Sequence, residues 1–141
     1  MKLFRKDSNY AVRTLVYISQ QKQSEPISST RVSETLGIPK NYLRRIFSKL
    51  ISAGILNATE GARGGVSLAS SPKQITVGDI ILALQGQMII CNSTHEKKLC
   101  SNYEACVIRN RIMKIENMVR TEFHKITIQS LIDDLPASYS T

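Results

Sequence analysis

Apolar side chains recur at helical spacing through much of the chain and predict a mainly helical protein. The first such stretch is predicted to form a helix over residues 8–22, with Tyr10 and Leu15 on its apolar face. Asp7 or Ser8 stands where an N-cap side chain is needed to accept the unpaired backbone N–H groups of the first turn. We therefore expect the chain to open with an amphipathic helix.

The next two apolar stretches are short and separated by a glycine. A helix that begins at Ser28 or Ser29 is predicted to end at Gly37, because glycine readily adopts the left-handed conformation that ends helices. A second helix restarts at Pro39, which suits a first helical turn. Its apolar face holds Leu43, Ile46, Phe47, Leu50 and Ile51. This pattern predicts a helix-turn-helix, whose second helix can lie in the major groove of DNA.

Residues 55–69 alternate as two short strands around a glycine-rich tip. Gly61, Gly64 and Gly65 permit a tight reversal, and Arg63 stands at the tip, where it can reach the minor groove or a phosphate. The tip lacks the lysine and the following helix of a nucleotide-binding loop. The stretch therefore predicts a small β-hairpin wing beside the helix-turn-helix.

The second half of the chain predicts two further helices separated by a polar loop. Thr76 can cap a helix that ends near Gly86, and Asp79 completes a variant of the capping box. Residues 86–106 are polar and are predicted to form a loop, whereas residues 107–126 are predicted to form one long helix. A narrow apolar seam along that helix consists of Ile108, Ile112, Ile115 and Val119.

The apolar seam has two interpretations. It can face the core of its own subunit, or it can hold two subunits together. A dimer is favoured because recognition of palindromic DNA needs two copies of a helix-turn-helix, and one half-site alone offers little specificity. We therefore predict a homodimer.

The distribution of charge supports a nucleic-acid partner. The chain has 141 residues and a net charge of +8, of which residues 1–65 supply +7 from eleven bases and four acids. The second predicted helix of the helix-turn-helix begins with side chains that are all hydrogen-bond donors, namely Lys40, Asn41, Arg44 and Arg45. Arginine and asparagine can make bidentate contacts to guanine and adenine. The basic half is therefore predicted to bind double-stranded DNA.

All three cysteines of the chain lie in one short segment, with eight residues between Cys91 and Cys100 and five between Cys100 and Cys106. No apolar run suits a secretion signal or a membrane span, so we expect a cytoplasmic protein without a membrane partner. Thiols stay reduced in the cytoplasm, where a cysteine cluster is more often metal-binding or redox-active than structural. The cluster therefore predicts a metal or redox site.

The ordered set of motifs resembles the IscR and NsrR regulators of the Rrf2 family. The resemblance rests on "YAVR", "VSETLGIPKNYLRRIFSKLISAGIL", "EGARGGVSLA", "ITVGDIILAL", the three-cysteine loop and "ITIQSLIDDL". It implies a homodimeric winged-helix repressor whose affinity for an inverted-repeat operator is controlled by an iron–sulfur cluster, either 4Fe–4S or 2Fe–2S. Such a cluster senses NO, redox state or iron status. The implied DNA contacts are Ser28, Lys40, Asn41, Tyr42, Arg44, Arg45, Lys49 and Arg63.

The resemblance also divides the chain into four parts. Residues 1–85 form the winged helix-turn-helix domain, residues 86–106 the cluster-binding loop and residues 107–126 the dimerisation helix. Residues 127–141 form a C-terminal helix and tail. The expected fold class is thus mainly α with a small β-hairpin wing.

The cluster ligands implied by the resemblance are Cys91, Cys100 and Cys106, with a fourth donor still to be found. IscR-like proteins carry a histidine three residues after the last cysteine, but Arg109 stands there and cannot ligate iron while charged. NsrR-like relatives use an N-terminal aspartate of the partner subunit, which points to Asp7 in this chain. A cap on the first helix is the alternative role for Asp7.

Two alternatives to a cluster-binding regulator remain open. A thiol–disulfide sensor on the same scaffold needs two of the three cysteines, and a zinc-stabilised regulator can use His95 as its fourth ligand.

Glu60 replaces the arginine that usually opens the wing, so minor-groove contact falls to Arg63. The sequence contains no recognisable arrangement of nucleophile and base and no paired carboxylates, so no motif indicates an enzyme.

Overall fold

A computed structural model describes residues 2–22, 25–92, 102 and 104–139 of the chain. Within these residues it contains six α-helices and one two-stranded antiparallel hairpin, as the mainly α fold with a wing predicted. The helices are α1 (Lys6–Gln20), α2 (Ser29–Leu36), α3 (Lys40–Ser52), α4 (Val77–Gln85), α5 (Val107–Lys125) and α6 (Ile128–Asp133). The strands are β1 (Leu56–Thr59) and β2 (Gly65–Leu68).

The start of α1 differs from the sequence prediction. The helix begins at Lys6, and the residue before it, Arg5, makes no side-chain capping bond. Asp7 lies inside the first turn, and Ser8 is buried and donates its hydroxyl to the Gln85 side-chain oxygen at 2.6 Å. That oxygen also accepts the Arg5 backbone N–H at 2.9 Å. The expected cap by Asp7 or Ser8 was therefore wrong, because a side chain from α4 meets the start of α1 instead.

The helix-turn-helix forms as its capping residues predicted. The Ser28 hydroxyl accepts the Arg31 backbone N–H at 3.2 Å, which caps α2 at its N-terminus. Gly37 ends α2 with a φ of 65°, in the left-handed region where a residue with a Cβ is strained. Pro39 directly precedes α3. The tight turn between α2 and α3 therefore follows from local sequence alone.

The wing is tied back to the body of the protein by the segment before α2. In the hairpin, Leu56 pairs with Leu68, and Val66 also exchanges two backbone hydrogen bonds of 2.9 Å with Ile27. A Cβ added to Gly65 would lie 2.4 Å from the Ile27 carbonyl oxygen. Only glycine allows this close approach of two backbones, so Gly65 sets the position of the wing relative to α2.

One hydrophobic core joins the helix-turn-helix to the C-terminal helix. Leu15, Leu43, Leu50 and Ile80 are fully buried in it, and Ile128 of α6 joins the same cluster. The Ile128 backbone N–H also donates to the Ile75 carbonyl at 2.9 Å, just before α4. The segment after the long helix thus folds back onto the N-terminal half of the chain.

The long helix α5 packs mainly against α4 and presents little of itself to the core. Its 19 residues begin at Val107, directly after Cys106, and end at Lys125. Glu116 is the one buried residue of this helix. Beyond α6, residues Ala137–Tyr139 form a short 3₁₀ turn in the region predicted as a tail. The helix therefore leaves half of its eight apolar side chains exposed to solvent.

Candidate DNA-binding surface and cysteine segment

The outer face of α3 carries the predicted DNA-reading side chains. Its inner face is buried, with Leu43 and Leu50 fully covered and Ile46 2% exposed. Because successive side chains of a helix are rotated by about 100°, burial of this face turns the polar residues outward. Those residues, all exposed, are Lys40, Asn41, Arg44 and Arg45. The structure thus brings four hydrogen-bond donors together on one solvent-facing strip.

The remaining predicted DNA contacts lie around that strip in different settings. Ser28 is exposed, although its hydroxyl is used as the cap of α2, and Arg63 is exposed at the tip of the hairpin. Lys49 donates its ammonium group to the Leu84 carbonyl at 3.0 Å. This carbonyl belongs to the last turn of α4, where the helix dipole attracts a positive charge. Lys49 therefore joins α3 to the end of α4.

Tyr42 lies at the centre of a cluster of rings and cations that sequence analysis did not foresee. Its ring meets the Tyr10 ring edge-on, with centroids 5.8 Å apart. The Arg45 guanidinium carbon lies 4.8 Å from the Tyr42 centroid. The Lys6 ammonium lies 5.3 Å from the Tyr10 centroid and 5.9 Å from that of Tyr42. These four residues join the first turns of α1 to α3, and are called the Tyr42 cluster below.

The pKa of Lys6 is raised above its usual value, chiefly by a side-chain hydrogen bond with Tyr10. Lys6 therefore stays charged throughout the physiological pH range. The sequence signals for the cluster were the four-residue spacing of Lys6 and Tyr10 in one helix and the three-residue spacing of Tyr42 and Arg45 in another, each of which places a pair on one face. The contact across to α3 required the tertiary structure.

Asp7 lies on the side of α1 that faces α3. It lines a groove of about 650 Å³ together with Arg44, Arg45 and Lys49. Within one subunit, the predicted fourth cluster ligand thus lies beside the arginines of α3.

Two of the three predicted cysteine ligands fall in the described part of the chain. Cys91 and Cys106 are both half-buried, and they begin and end residues 91–106, which lie between α4 and α5 and are called the cysteine segment below. Cys100 lies outside the described residues, as does His95, the alternative zinc ligand. Among the residues that are described, no three His, Cys, Asp or Glu side chains are grouped as a metal site requires.

Glu116 anchors the beginning of the cysteine segment to α5. This carboxylate is only 2% exposed, and it accepts the backbone N–H of Ile90 at 2.7 Å and that of Cys91 at 3.4 Å. A buried carboxylate needs such donors, because burying one without hydrogen-bond partners costs far more than the roughly 2–7 kcal/mol of a neutral polar group. Sequence analysis missed Glu116, although its position four residues after Ile112 and three before Val119, on the apolar side of the helix, was an available signal.

The predicted seam on α5 is divided between two environments. Ile108 and Ile115 are 65% and 53% exposed, whereas Ile112 and Val119 are half-buried. The exposed side continues into Met118, which is 67% exposed and was not part of the prediction. Ile108, Ile115 and Met118 form an exposed apolar stripe, called the α5 stripe below.

The chain is similar to known proteins over almost its whole length. A family model described as "Rrf2: Iron-dependent Transcriptional regulator" matches residues 4–134.

No helix in the described part of the chain has both the length and the apolarity needed to cross a bilayer.

Solved structures share the fold. CymR (YrzC), described as the global cysteine regulator of B. subtilis, is 23% identical with a TM-score of 0.76, covering 96% of this chain and 100% of that chain. IscR from T. potens is 23% identical with a TM-score of 0.72, covering 97% of this chain and 90% of the other. The oxidised form of S. aureus CymR is 22% identical with a TM-score of 0.72, covering 97% and 100%. At these identities the similarity establishes the fold alone.

Proposed function

The chain belongs to the Rrf2 family of transcriptional regulators, and from this premise we propose that it is a homodimeric repressor that binds an inverted repeat in duplex DNA. The observation that carries the proposal is the outward strip of donors on α3. In a winged helix-turn-helix, this helix enters the major groove and its early side chains meet the base edges. Arg44, Arg45 and Asn41 have the chemistry for bidentate base contacts.

Electrostatics supports the same partner. Residues 1–65 hold +7 of the net charge of +8. Positive charge on the DNA-facing half attracts the phosphate backbone and releases its counterions, so binding should weaken steeply as salt rises. Arg63 at the wing tip is placed for a phosphate or minor-groove contact.

Dimerisation is supported by the α5 stripe. Exposed apolar side chains in a row on a helix are costly in water and are covered when two such helices pack together. A dimer of this kind would place two α3 helices on successive major-groove faces of one operator. The proposed half-sites are therefore related by the two-fold axis of the protein.

The proposed signal is an iron–sulfur cluster held by Cys91, Cys100 and Cys106. Thiolates are the standard ligands of such clusters, and three of them lie in one segment in this chain. When bound, the cluster would supply a centre that NO, oxygen or a change of redox state can alter. At the beginning of the segment, the Glu116 carboxylate accepts the backbone N–H of Cys91. We place this chemistry in the cytoplasm, where thiols stay reduced.

Asp7 of the partner subunit is proposed as the fourth donor. A carboxylate donor is more easily displaced than a fourth thiolate and leaves one iron open to small molecules. Replacing Asp7 with alanine should preserve the fold but speed the loss of the cluster in air and change its absorption spectrum. The Asn9→Ala variant is the control. Parental spectra and decay rates in Asp7→Ala would remove Asp7 from the site.

A cluster-free thiol switch is the second candidate function. It is favoured by the two described cysteines, which lie at the ends of one segment and are both half-buried. The fold is shared with both IscR and CymR, so fold similarity favours neither alternative. A zinc site using His95 is the third possibility, and it needs no redox chemistry.

Anaerobic purification separates these candidates. The proposal predicts a coloured protein with iron and acid-labile sulfide, and a spectrum that bleaches in air. Colourless protein with zinc would support the zinc site. Colourless protein without metal, whose cysteines pair reversibly under oxidant, would support the thiol switch.

A further inference from the structure

We propose that Tyr10, on α1, positions a DNA-reading side chain on α3, with Tyr42 as the intermediate. Tyr10 supports the Tyr42 ring, and the Tyr42 ring holds the Arg45 guanidinium. The inference rests on the proposed DNA-binding function and adds a residue outside the helix-turn-helix to the recognition surface. Lys6, from the same turn as Tyr10, contributes a second cation to that surface.

The geometry shows how the support is passed from helix to helix. Tyr10 and Tyr42 are half-buried and meet at an interplanar angle of 90°, with centroids 5.8 Å apart. This edge-to-face arrangement is the favoured contact between aromatic rings, because the positive edge of one ring meets the negative face of another. Tyr42 cannot swing toward α1, since the Tyr10 ring occupies that space. The Tyr42 ring is therefore fixed from the α1 side.

A fixed Tyr42 ring restricts Arg45. The guanidinium carbon lies 4.8 Å from the Tyr42 centroid, within the range of a cation–π contact, while the Arg45 side chain remains exposed. An arginine held on a ring keeps the N–H groups along its edge available for a base or a phosphate. It also loses less conformational entropy on binding DNA than an unrestrained arginine does. Tyr42 therefore prepares Arg45 for recognition.

Lys6 lies close to both rings of the Tyr42 cluster. Its ammonium group lies 5.3 Å from the Tyr10 centroid and 5.9 Å from that of Tyr42. Two cations, Lys6 and Arg45, are thus held beside one ring pair, and the negative faces of the rings offset the repulsion between like charges. The Tyr42 cluster concentrates positive charge where α1 meets α3. We expect this charge to face the DNA backbone at the edge of the major groove.

The experiment begins by selecting duplexes from a random library with the parent protein, followed by gel-shift titration of the variants. Tyr10→Leu should weaken binding to the selected duplex by roughly 2- to 10-fold, the range expected from losing cation–π and ring contacts. It should also relax base preference at the position where Arg45→Ala relaxes it. Tyr10→Phe keeps the ring and should remain within about twofold of the parent. Tyr139→Leu, an exposed tyrosine far along the chain, is the matched control and should behave as the parent.

A double-mutant cycle shows whether Tyr10 acts through Arg45. In an Arg45→Ala background, Tyr10→Leu should cost much less affinity than in the parent, because the side chain it positions is gone. Equal losses in both backgrounds, or parental affinity and preference in Tyr10→Leu, would overturn the inference. Should Tyr10→Leu fail to fold by thermal denaturation, Tyr10→Met, which also removes the ring, replaces it with the same expected and overturning results. A parent protein that selects no duplex would instead refute the proposed function itself.

Discussion

The helix-turn-helix and the long helix differ in how much of their structure one subunit completes. On α3, the apolar face is covered by the chain itself, with Leu43 and Leu50 fully buried, and the donors face solvent. On α5, Glu116 is the one buried residue, while Ile108 and Ile115 are 65% and 53% exposed. The first region buries its apolar face within the subunit, whereas the second leaves several large apolar side chains exposed beside its polar ones.

This contrast separates two kinds of function. A surface whose polar groups face outward over a finished core is ready to meet a polar ligand such as DNA. A helix that exposes large apolar side chains lowers its free energy when a second apolar surface covers it. We infer that one chain alone forms the DNA-binding surface and that the exposed apolar residues of α5 are buried only when two chains associate. Mutations in the two regions should therefore have separable effects.

The largest effect is expected from Ile115→Asp in the α5 stripe. An unpaired carboxylate buried at the centre of a dimer interface is costly, so this variant should be monomeric. Affinity for a two-half-site operator should fall by roughly 10²- to 10⁴-fold, the contribution typical of a second linked binding event. Light scattering measures the mass and gel shifts measure the affinity. Asn110→Asp, on an exposed polar position of the same helix, is the control that adds the same charge.

A dimer that persists in Ile115→Asp would contradict the comparison. In that case the stripe would not be the surface that a second copy covers, and another face of the chain would have to supply the interface.

A smaller effect, confined to DNA binding, is expected from Arg44→Ala. Loss of a base contact should cost about 1–3 kcal/mol and relax preference at one operator position. The dimer and the melting temperature should be unchanged, because the Arg44 side chain is exposed on the face of α3 opposite the core. Isothermal titration with the operator and with single-base variants measures both effects. Uniform weakening across all duplexes would make Arg44 a phosphate contact instead.

The smallest effect on DNA binding and a clear effect on stability are expected from Glu116→Ala. Removing this carboxylate leaves the Ile90 and Cys91 backbone N–H groups without the acceptor they have in the structure. The free energy of unfolding should fall by about 1–3 kcal/mol, the usual cost of unsatisfied buried donors. Urea denaturation measures it. Glu116→Gln keeps an acceptor oxygen and should lose less.

Glu122→Ala is the matched control for this change. Glu122 is exposed on the same helix and pairs with Lys125, and a surface pair of this kind contributes at most about 1 kcal/mol. If Glu116→Ala were as mild as Glu122→Ala, the cysteine segment would not depend on α5 for its position.

The fold was predictable from the sequence at positions where one or two residues determine the local structure. Ser28 caps α2, Gly37 ends it, and Thr76 with Asp79 forms the capping box of α4, as their positions predicted. These outcomes depend on bonds within four residues of one another. The prediction for the start of α1 was wrong, because the Arg5 backbone N–H and the Ser8 hydroxyl both donate to the side chain of Gln85, which is distant in sequence.

The candidate site divides along the same line. The donors on α3 were predictable because helical periodicity alone sets which residues oppose the buried face. The Tyr42 cluster and the Glu116 anchor were not, because each joins residues that only the tertiary fold brings together. The seam on α5 was identified as apolar, but its division between half-buried Ile112 and exposed Ile115 depends on how α4 packs against the helix.

The central claim is that an iron–sulfur cluster on the cysteine segment controls the affinity of the dimer for DNA. Operator affinity should be measured by anaerobic titration of one preparation before and after removal of the cluster, with Cys106→Ser as a variant that cannot retain it. We predict that the two states differ by roughly 5- to 150-fold, the usual range of coupling between two sites, and that Cys106→Ser binds as the cluster-free protein does. Equal affinity in both states, or a parent protein without iron and sulfide, would contradict the claim.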